Sequence, residues 1–120
     1  MFINLSNHPS QGWEERQIKA ASRYGEIVDW PFPPIPAEEG EEYIRELTAS
    51  YVKKIVERYQ PRQDVFHIMG EMCFTFALVK SLQELGFTCM ASTSERIVKE
   101  EGPGYKKEVS FRFARFREYL

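Results

Sequence analysis

The chain is 120 residues long, with 42% hydrophobic and 14% aromatic residues and a net charge of −2. This length and composition predict one globular domain, residues 1–120, with a single core. Acidic side chains outnumber basic ones, so no broad basic face is expected and double-stranded DNA is not a predicted partner. We also expect no membrane association, because no signal peptide is recognisable and no apolar run reaches the roughly 18 residues that a bilayer span needs.

The two cysteines predict neither a disulfide nor a metal centre. Cys73 and Cys89 stand in apolar stretches without a CxxC pair, which favours two buried free thiols in the reducing cytoplasm. The motifs GxxxxGK[ST], GxGxxG, HExxH and GxSxG do not occur, and no Asp, Glu and His cluster has metal-ligand spacing. The sequence therefore predicts no metal ion and no other cofactor.

The first third of the chain predicts a strand, a polar loop, a helix and a second strand. Phe2, Ile3 and Leu5 begin the first strand, and the polar residues 6–10 end it. Apolar residues at helical spacing predict an amphipathic helix over residues 12–24, followed by a strand over residues 26–30. The proline-rich residues 31–36 force an extended connection. We interpret it as a stiff connector across the sheet end, with a rim or clamp as the alternative.

The middle of the chain predicts helix, strand, helix and strand. A broad apolar face predicts a helix over residues 39–59, which Pro61 ends. Asp64 opens a third strand, Gly70 turns the chain, and an apolar helix over residues 72–85 stops at Gly86. A fourth strand covers residues 87–91.

The last part of the chain predicts a polar loop and a final strand. The hydroxyl-rich residues after Ala91 are expected to form the loop, or to cap a short helix over residues 95–99. Gly102, Pro103 and Gly104 predict a second loop. Alternating polar and apolar residues from Lys107 to Phe116 predict a half-buried antiparallel strand.

Strands that alternate with helices at this spacing predict an α/β fold with right-handed crossovers. The expected form is a Rossmann-like three-layer fold, with a mainly parallel sheet of about four strands and a C-terminal antiparallel strand. Ligands of such sheets bind beyond the carboxyl ends of the strands, where the strand order reverses. Residues 6–10, 69–72 and 92–96 are expected to converge there.

Candidate proton-transfer chemistry lies in the first of these segments. His8 is an imidazole in a loop at a strand end, so it is a candidate general acid or base near neutral pH. The alternative is that His8 caps the turn together with Asn7 and Pro9. His67 lies inside the apolar third strand, which favours a hydrogen-bonded core or interface histidine.

Candidate anion-binding groups lie in the other two segments. Arg96 offers a planar fork to a phosphate, or forms a surface salt bridge with Glu95 or Glu100. The first amides of the third helix are expected to lack internal partners and to be available to an anion. A carboxylate repels phosphate, so Glu71 is expected to contact ribose or adenine, or to act as a charge at the helix N-terminus.

Three segments together resemble the CRISPR-associated Rossmann-fold (CARF) family, including its small stand-alone ring nucleases. They are the first strand ending in SNHPS, the strand and helix joined by MGEMCFT, and the later strand ending in STSER. The resemblance implies a homodimer in which two sheet-end crevices form one symmetric pocket for a cyclic oligoadenylate, most simply cyclic tetra-adenylate.

The resemblance also implies metal-independent cleavage, in which a ribose 2′-hydroxyl of the substrate is the nucleophile and the protein orients it and stabilises the developing charge. By this resemblance the catalytic residues would be Ser6, Asn7, His8 and Arg96. The ligand-binding residues would be Ser10, Gly70, Glu71, Thr75, Ser92, Thr93 and Ser94.

Two other functions are compatible with the sequence. The first is a sensor that binds the same ligand without cleaving it. The second is an unrelated α/β interaction module, in which residues 31–36 and a face carrying Tyr43, Tyr51 and Tyr59 contact a protein partner.

Overall fold

A computed structural model of the chain describes residues 1–100, Gly102, Gly104 and residues 108–120. Pro103 of the expected loop and Lys107 at the start of the expected last strand lie outside the described residues. In chain order the elements are β1 Phe2–Ser6, a 3-10 turn Ser10–Gly12, α1 Glu15–Ser22, β2 Ile27–Asp29, α2 Glu41–Arg58, β3 Val65–Met69, α3 Met72–Glu84, β4 Thr88–Lys99 and β5 Glu108–Glu118.

The strands form one five-stranded sheet in the order β2-β1-β3-β4-β5. The first four strands are parallel, and β5 pairs with β4 antiparallel. The chain first moves outward from β1 to β2 and then crosses back to β3, so the strand order reverses between β1 and β3. The predicted α/β fold, with its parallel sheet and C-terminal antiparallel strand, is confirmed.

Successive residues of a strand point to opposite faces of the sheet, and both faces here carry apolar side chains. Helices therefore cover both faces. We define the α1 face by Phe2, Val65 and Met90, which pack with Ala21 of α1. The opposite face carries a larger core, in which Phe66 clusters with buried residues of α2 and α3. Among the described residues, no helix is both long and apolar enough to cross a membrane.

The fourth strand is longer than the sequence indicated. It continues through residues 92–99, which pair with β5 as far as Lys99 opposite Glu108. The expected polar loop over residues 92–96 and the alternative helix over 95–99 are therefore wrong. Thr93, Ile97 and Val98 are β-branched residues that favour a strand. The hydrogen-bonding partner of this stretch is β5, which the local sequence pattern does not indicate.

Residues 93–99 and 108–113 form a two-stranded arm that projects past the sheet. Met90 pairs with His67, β3 ends at Met69 and β4 ends at Lys99, so the arm extends roughly 23 Å beyond β3 at about 3.3 Å per residue. The radius of gyration is 16.7 Å, whereas a compact domain of this length has about 14 Å. The arm accounts for the elongated shape.

The connector of residues 31–36 crosses the carboxyl end of the sheet and packs inward. Phe32 lies edge-on to Phe74 of α3, with ring centroids 5.5 Å apart. Its ring also covers Gly70, where an added Cβ would lie 2.3 Å from Phe32 Cζ. The interpretation of this segment as a stiff connector agrees with this packing, because only glycine permits so close an approach.

We expect Gly70→Ala to lower the free energy of unfolding by about 1–3 kcal/mol, because the new methyl group displaces the Phe32 ring from its packed position. Urea unfolding measures the effect. Gly12→Ala is the matched control, since nothing lies within 4 Å of a Cβ there. If Gly70→Ala costs no more than Gly12→Ala, the close packing of Phe32 on Gly70 is wrong.

Candidate functional site

A row of polar side chains crosses three neighbouring strands on the α1 face. The strand register places Asn4 of β1 beside Asp29 of β2 on one side and beside His67 of β3 on the other. Asn4 and His67 are each only 2% exposed. Buried polar groups are costly unless they are hydrogen-bonded, so the partners of this row decide its structure.

The amide of Asn4 is the centre of the row. Its Nδ2 donates to the carboxylate of Asp29 and to the main-chain oxygen of His8, both at 2.9 Å. Its Oδ1 lies 2.7 Å from the hydroxyl of Ser6, which donates to it, and 2.9 Å from Nδ1 of His67. Both hydrogens of the amide nitrogen and both acceptor positions of the amide oxygen are therefore occupied.

These bonds fix the tautomer of His67. Because both hydrogens of the Asn4 amide go to acceptors, Oδ1 of Asn4 must be the acceptor in the bond with His67. The proton of the neutral imidazole therefore sits on Nδ1. The Nε2 atom carries a lone pair, and it has no hydrogen-bonding partner among the described residues.

Aromatic rings surround His67 and keep it neutral. Phe2 stacks on it at 6.1 Å between centroids, and Trp13 and Phe116 contact it edge-on at 5.6 and 5.3 Å. Burial lowers the pKa of His67 to about 4, with a smaller contribution from nearby His8. The predicted hydrogen-bonded core histidine is what the structure shows.

Asp29 closes the other end of the row and remains ionised. Burial raises the pKa of its carboxyl group, but hydrogen bonds from Asn4 and Ser10 outweigh this effect and leave the pKa below its usual value. Ser10 donates to Asp29 through both its main-chain N–H, at 3.1 Å, and its hydroxyl, at 2.8 Å. The carboxylate thus fastens the end of the loop that begins after Ser6.

The loop between these anchors presents the imidazole of His8. The main-chain oxygen of His8 also accepts from Nε1 of Trp13 at 3.1 Å, and its N–H donates to Oγ of Ser6 at 3.2 Å. The side chain of His8 is exposed, and no hydrogen bond to its ring is formed within the described part of the chain. Main-chain groups and Ser6 hold the turn, so the imidazole is left available for a ligand.

A cavity of about 210 Å³ adjoins this loop at the ends of β1 and β2. Its wall contains the loop residues Asn7 and Pro9, the polar row at Asn4 and Asp29, and the connector at Phe32. Ser6 lies in the same wall but is 5% exposed. Of the predicted site residues in this loop, Ser6 and Asn7 line the cavity, and His8 and Ser10 stand beside them in the same loop.

The turn after β3 differs from the expectation. The carboxylate of Glu71 accepts hydrogen bonds from the N–H groups of Cys73 and Phe74, so these first amides of α3 already have an internal partner. The expectation that they are free for an anion is wrong. The interpretation of Glu71 as a charge at the helix N-terminus agrees with this contact.

The cysteines correct a second expectation. Cys89 is buried, but Cys73 is exposed, because it lies on the outward side of the first turn of α3. The neighbouring negative charge of Glu71 raises the pKa of the Cys73 thiol. This environment disfavours the thiolate, so Cys73 is a poor nucleophile.

The remaining predicted site residues are spread along β4 and α3. Ser92 donates to the sulfur of Met69 through its N–H and its hydroxyl, and Thr93 donates to the main-chain oxygen of Arg115. Ser94 and Arg96 are exposed on the arm. Thr75 is buried in α3 and belongs to a different cavity from the loop.

The features assigned to the interaction-module alternative are partly packed and partly exposed. Tyr51 is 9% exposed, and Tyr59 and Ile35 pack against the core beneath α2 and α3. Tyr43 and Tyr59 are half-buried, and Pro31, Pro34 and Pro36 are exposed, so this alternative stays a prediction.

Sequence reasoning missed Asn4 and Asp29 as parts of the site. A signal for both was present: a single polar residue stands among apolar residues in each of the stretches FINL, IVDW and VFHIM. Within the described ranges, no group of three or more His, Cys, Asp and Glu residues could hold a metal ion.

A family model, described as the Uncharacterized protein MJ1673 family, matches residues 1–117. The chain belongs to this family. No curated protein and no solved structure matches the chain. The matched residues include both the loop after β1 and the arm.

We expect acidification to destabilise the protein through His67. Its pKa falls from 6.5 to about 4 on folding, so between these pH values the unfolded state binds a proton that the folded state does not. Stability should therefore fall by roughly 3 kcal/mol between pH 7 and pH 4. Urea unfolding at several pH values in this range measures the slope.

His67→Gln should flatten this pH dependence, since glutamine does not titrate. His8→Gln is the control, because it leaves the buried imidazole in place and should retain most of the wild-type slope. Equal slopes for the wild type and His67→Gln would show that His67 is not the group responsible.

Proposed function

We propose that the chain binds cyclic oligoadenylate, most simply cyclic tetra-adenylate, at the carboxyl edge of its sheet and cleaves it without a metal. Such cleavage would switch off type III CRISPR signalling. The observation that carries the proposal is the loop after β1: its main chain is held by Asn4, Ser6 and Trp13, while the imidazole of His8 faces solvent. The loop stands at the reversal of strand order, where sheets of this type bind ligands.

The proposed reaction is an internal phosphoryl transfer within the ligand. The ribose 2′-hydroxyl loses its proton and attacks the adjacent phosphorus, and the bond from phosphorus to the 5′-oxygen breaks. The leaving 5′-oxygen takes up a proton, giving a 2′,3′-cyclic phosphate and a 5′-hydroxyl. His8 assists one of these proton transfers, because an imidazole exchanges protons near neutral pH.

The neighbours of His8 have distinct supporting roles in this proposal. Ser6 is buried and bonded to Asn4, so it positions the loop rather than reaching the ligand. Asn7 is exposed in the loop next to His8, so its amide can donate to a phosphate oxygen. Ordered donors of this kind stabilise the charge that develops at the phosphorus.

A homodimer is proposed on the basis of the arm. Val98, Val109 and Phe111 lie on one side of the arm and are 41%, 43% and 67% exposed. A two-stranded hairpin with an open apolar side is marginal in water, so a second copy of the chain would stabilise it. Arg96 pairs with Phe111 in the same side of the arm, and it contributes to the ligand pocket where two copies meet.

Binding without cleavage is the second candidate function. The observation that favours it is the position of Arg96, which stands about 13 Å beyond Ser92 along β4 at about 3.3 Å per residue. Without a second copy to bring Arg96 to this loop, residues 6–10 offer one titratable side chain, that of His8. A sensor needs only the shape of the crevice and the polar contacts of this loop.

We expect His8→Ala to slow cleavage of cyclic tetra-adenylate roughly 10²- to 10⁴-fold, with a smaller loss of binding, because a positioned acid or base contributes about this factor. Chromatography of products from a metal-free incubation measures the rate, and calorimetry measures the affinity. Lys80→Ala, which removes an exposed cation on α3, is the control and should behave as wild type.

The outcomes separate the candidates. Equal cleavage by His8→Ala and wild type would exclude His8 from the reaction. Binding of cyclic tetra-adenylate with no linear product would establish the sensor, whereas no binding of cyclic tri-, tetra- or hexa-adenylate would overturn the proposed function. Light scattering of the wild type and Phe111→Ser tests the dimer, which the variant should weaken.

A further inference from the structure

A cavity of about 410 Å³ with a basic wall lies between α1 and β5. The helix supplies three of its cations, Arg16, Lys19 and Arg23, and β5 supplies the fourth, Arg115. No Asp or Glu of the described residues lines this wall. Because the whole chain carries a net charge of −2, this cavity, here called the basic groove, concentrates charge of the sign opposite to that of the protein. It is suited to an anionic ligand.

The cations of α1 form a stripe that the helix itself does not require. Lys19 and Arg23 follow Arg16 by three and seven residues, so the three side chains share one face. Like charges at three- and four-residue spacing destabilise a helix. Arg16 also stands in the first turn of α1, where the helix dipole disfavours a cation. A bound anion would offset both effects.

Neighbouring acidic side chains leave these cations largely available. Lys19 pairs with Glu15 at 3.3 Å, but the two side chains are 75% and 84% exposed, and pairs so exposed are weak. The carboxylate of Glu14 accepts a hydrogen bond from the main chain of β5 at 3.4 Å. Arg16 and Arg23 form no salt bridge within the part of the chain that the structure describes.

Arg115 is oriented by its own strand. Its Nε donates to the main-chain oxygen of Phe116 at 3.0 Å, and Phe116 lines the same groove. The two terminal nitrogens of the guanidinium make no hydrogen bond among the described residues. A planar guanidinium with free N–H groups matches two oxygens of one phosphate.

An aromatic ring stands in the same wall as the cations. Tyr24 lines the groove and is 41% exposed. Phe2 stacks on it with ring centroids 5.9 Å apart, which gives the Tyr24 ring a fixed position. Proteins that bind single-stranded nucleic acid combine a positively charged groove, which follows the backbone, with aromatic rings on which bases stack. The basic groove contains both parts.

We propose that the basic groove binds a single-stranded nucleic acid, with its phosphates against the four cations and one base on Tyr24. Arg16 and Arg23 are about 10 Å apart along α1 at about 1.5 Å per residue, so a chain of phosphates reaches both ends, whereas one phosphate does not. A duplex would need a broad basic face, which this acidic chain lacks. The inference is independent of the proposed function, because none of these residues has a role in it.

Salt dependence tests the backbone contacts. Fluorescence polarisation of a labelled oligouridylate of about ten nucleotides measures binding, since a groove of this kind covers about 4–16 nucleotides. Four neutralised phosphates predict a slope of about −2.8 for the logarithm of affinity against the logarithm of salt concentration, or roughly 50-fold weaker binding at 200 mM than at 50 mM salt. An oligothymidylate of the same length should bind similarly, because neither the cations nor Tyr24 recognises the 2′-hydroxyl.

Arg16→Gln combined with Arg23→Gln should reduce the slope to about −1.4 and weaken binding roughly 10- to 100-fold at about 50 mM salt. Lys53→Gln combined with Lys80→Gln is the matched control, because it removes the same charge from exposed positions on α2 and α3. The control should bind as wild type, and thermal unfolding verifies that both double variants are folded. Equal affinity and slope of the two double variants would overturn the inference.

Tyr24→Leu tests the base contact separately. It keeps an apolar side chain against Phe2 but removes the ring, so binding should weaken roughly 5- to 150-fold. The salt slope should stay at the wild-type value, because Tyr24 neutralises no phosphate. Unchanged affinity would contradict the assigned role of Tyr24.

Other ligands distinguish the proposal from its alternatives. No binding of oligouridylate at low salt would overturn it, as would tighter binding of duplex RNA, polyglutamate or phosphatidylserine vesicles than of the single strand. Excess cyclic tetra-adenylate should leave the strand bound, and displacement would overturn a separate groove. If the strand binds and no cyclic oligoadenylate does, the basic groove stands and the proposed function fails.

Discussion

The amide of Asn4 is the constraint on which the rest of the site depends. It lies in the central strand pair of a buried face and joins Asp29, Ser6, His67 and the main chain of His8. In a low-dielectric interior each unpaired polar group costs about 1–3 kcal/mol. The strand register is therefore fixed by this network as well as by the apolar core, because a slip of one residue would move Asn4 to the opposite face.

The same amide gives its two neighbours different charges. Asp29 gains donors from Asn4 and Ser10 and stays ionised, whereas His67 lies among aromatic rings and stays neutral. Asn4 can serve both because one end of its amide donates and the other accepts. An aspartate at this position would lack the donors, and a leucine would lack both functions. The mixed environment on the α1 face thus requires an amide.

Much of the fold follows from local patterns in the sequence. Apolar runs ended by Gly25, Pro61 and Gly86 place the helices and strands, and the alternation of strands and helices implies a parallel sheet. The length of β4 did not follow, because residues 92–99 are polar enough for a loop and become a strand only through pairing with β5. Pairing between distant segments is a property of the fold that a local pattern does not contain.

The candidate site was predictable in part for the same reason. The loop holding Ser6, Asn7 and His8 could be located because it follows an apolar strand, but the bonds that hold it come from Asn4, Asp29 and Trp13. Those contacts join strands and a helix that only the sheet order brings together. Glu71 is a residue whose effect the sequence did indicate. Its carboxylate was expected to repel phosphate, and in the structure it accepts hydrogen bonds from the first amides of α3, which a phosphate would otherwise use.

The contact between Phe32 and Gly70 explains why the sheet edge has two cavities of different character. Phe32 belongs to the wall of the polar cavity beside Asn7, and Gly70 belongs to the wall of the apolar cavity beside Thr75. The aromatic ring packed on the glycine therefore forms the partition between them. Since one side chain separates a polar from an apolar recess, the packing of Phe32 on Gly70 sets the shape of both.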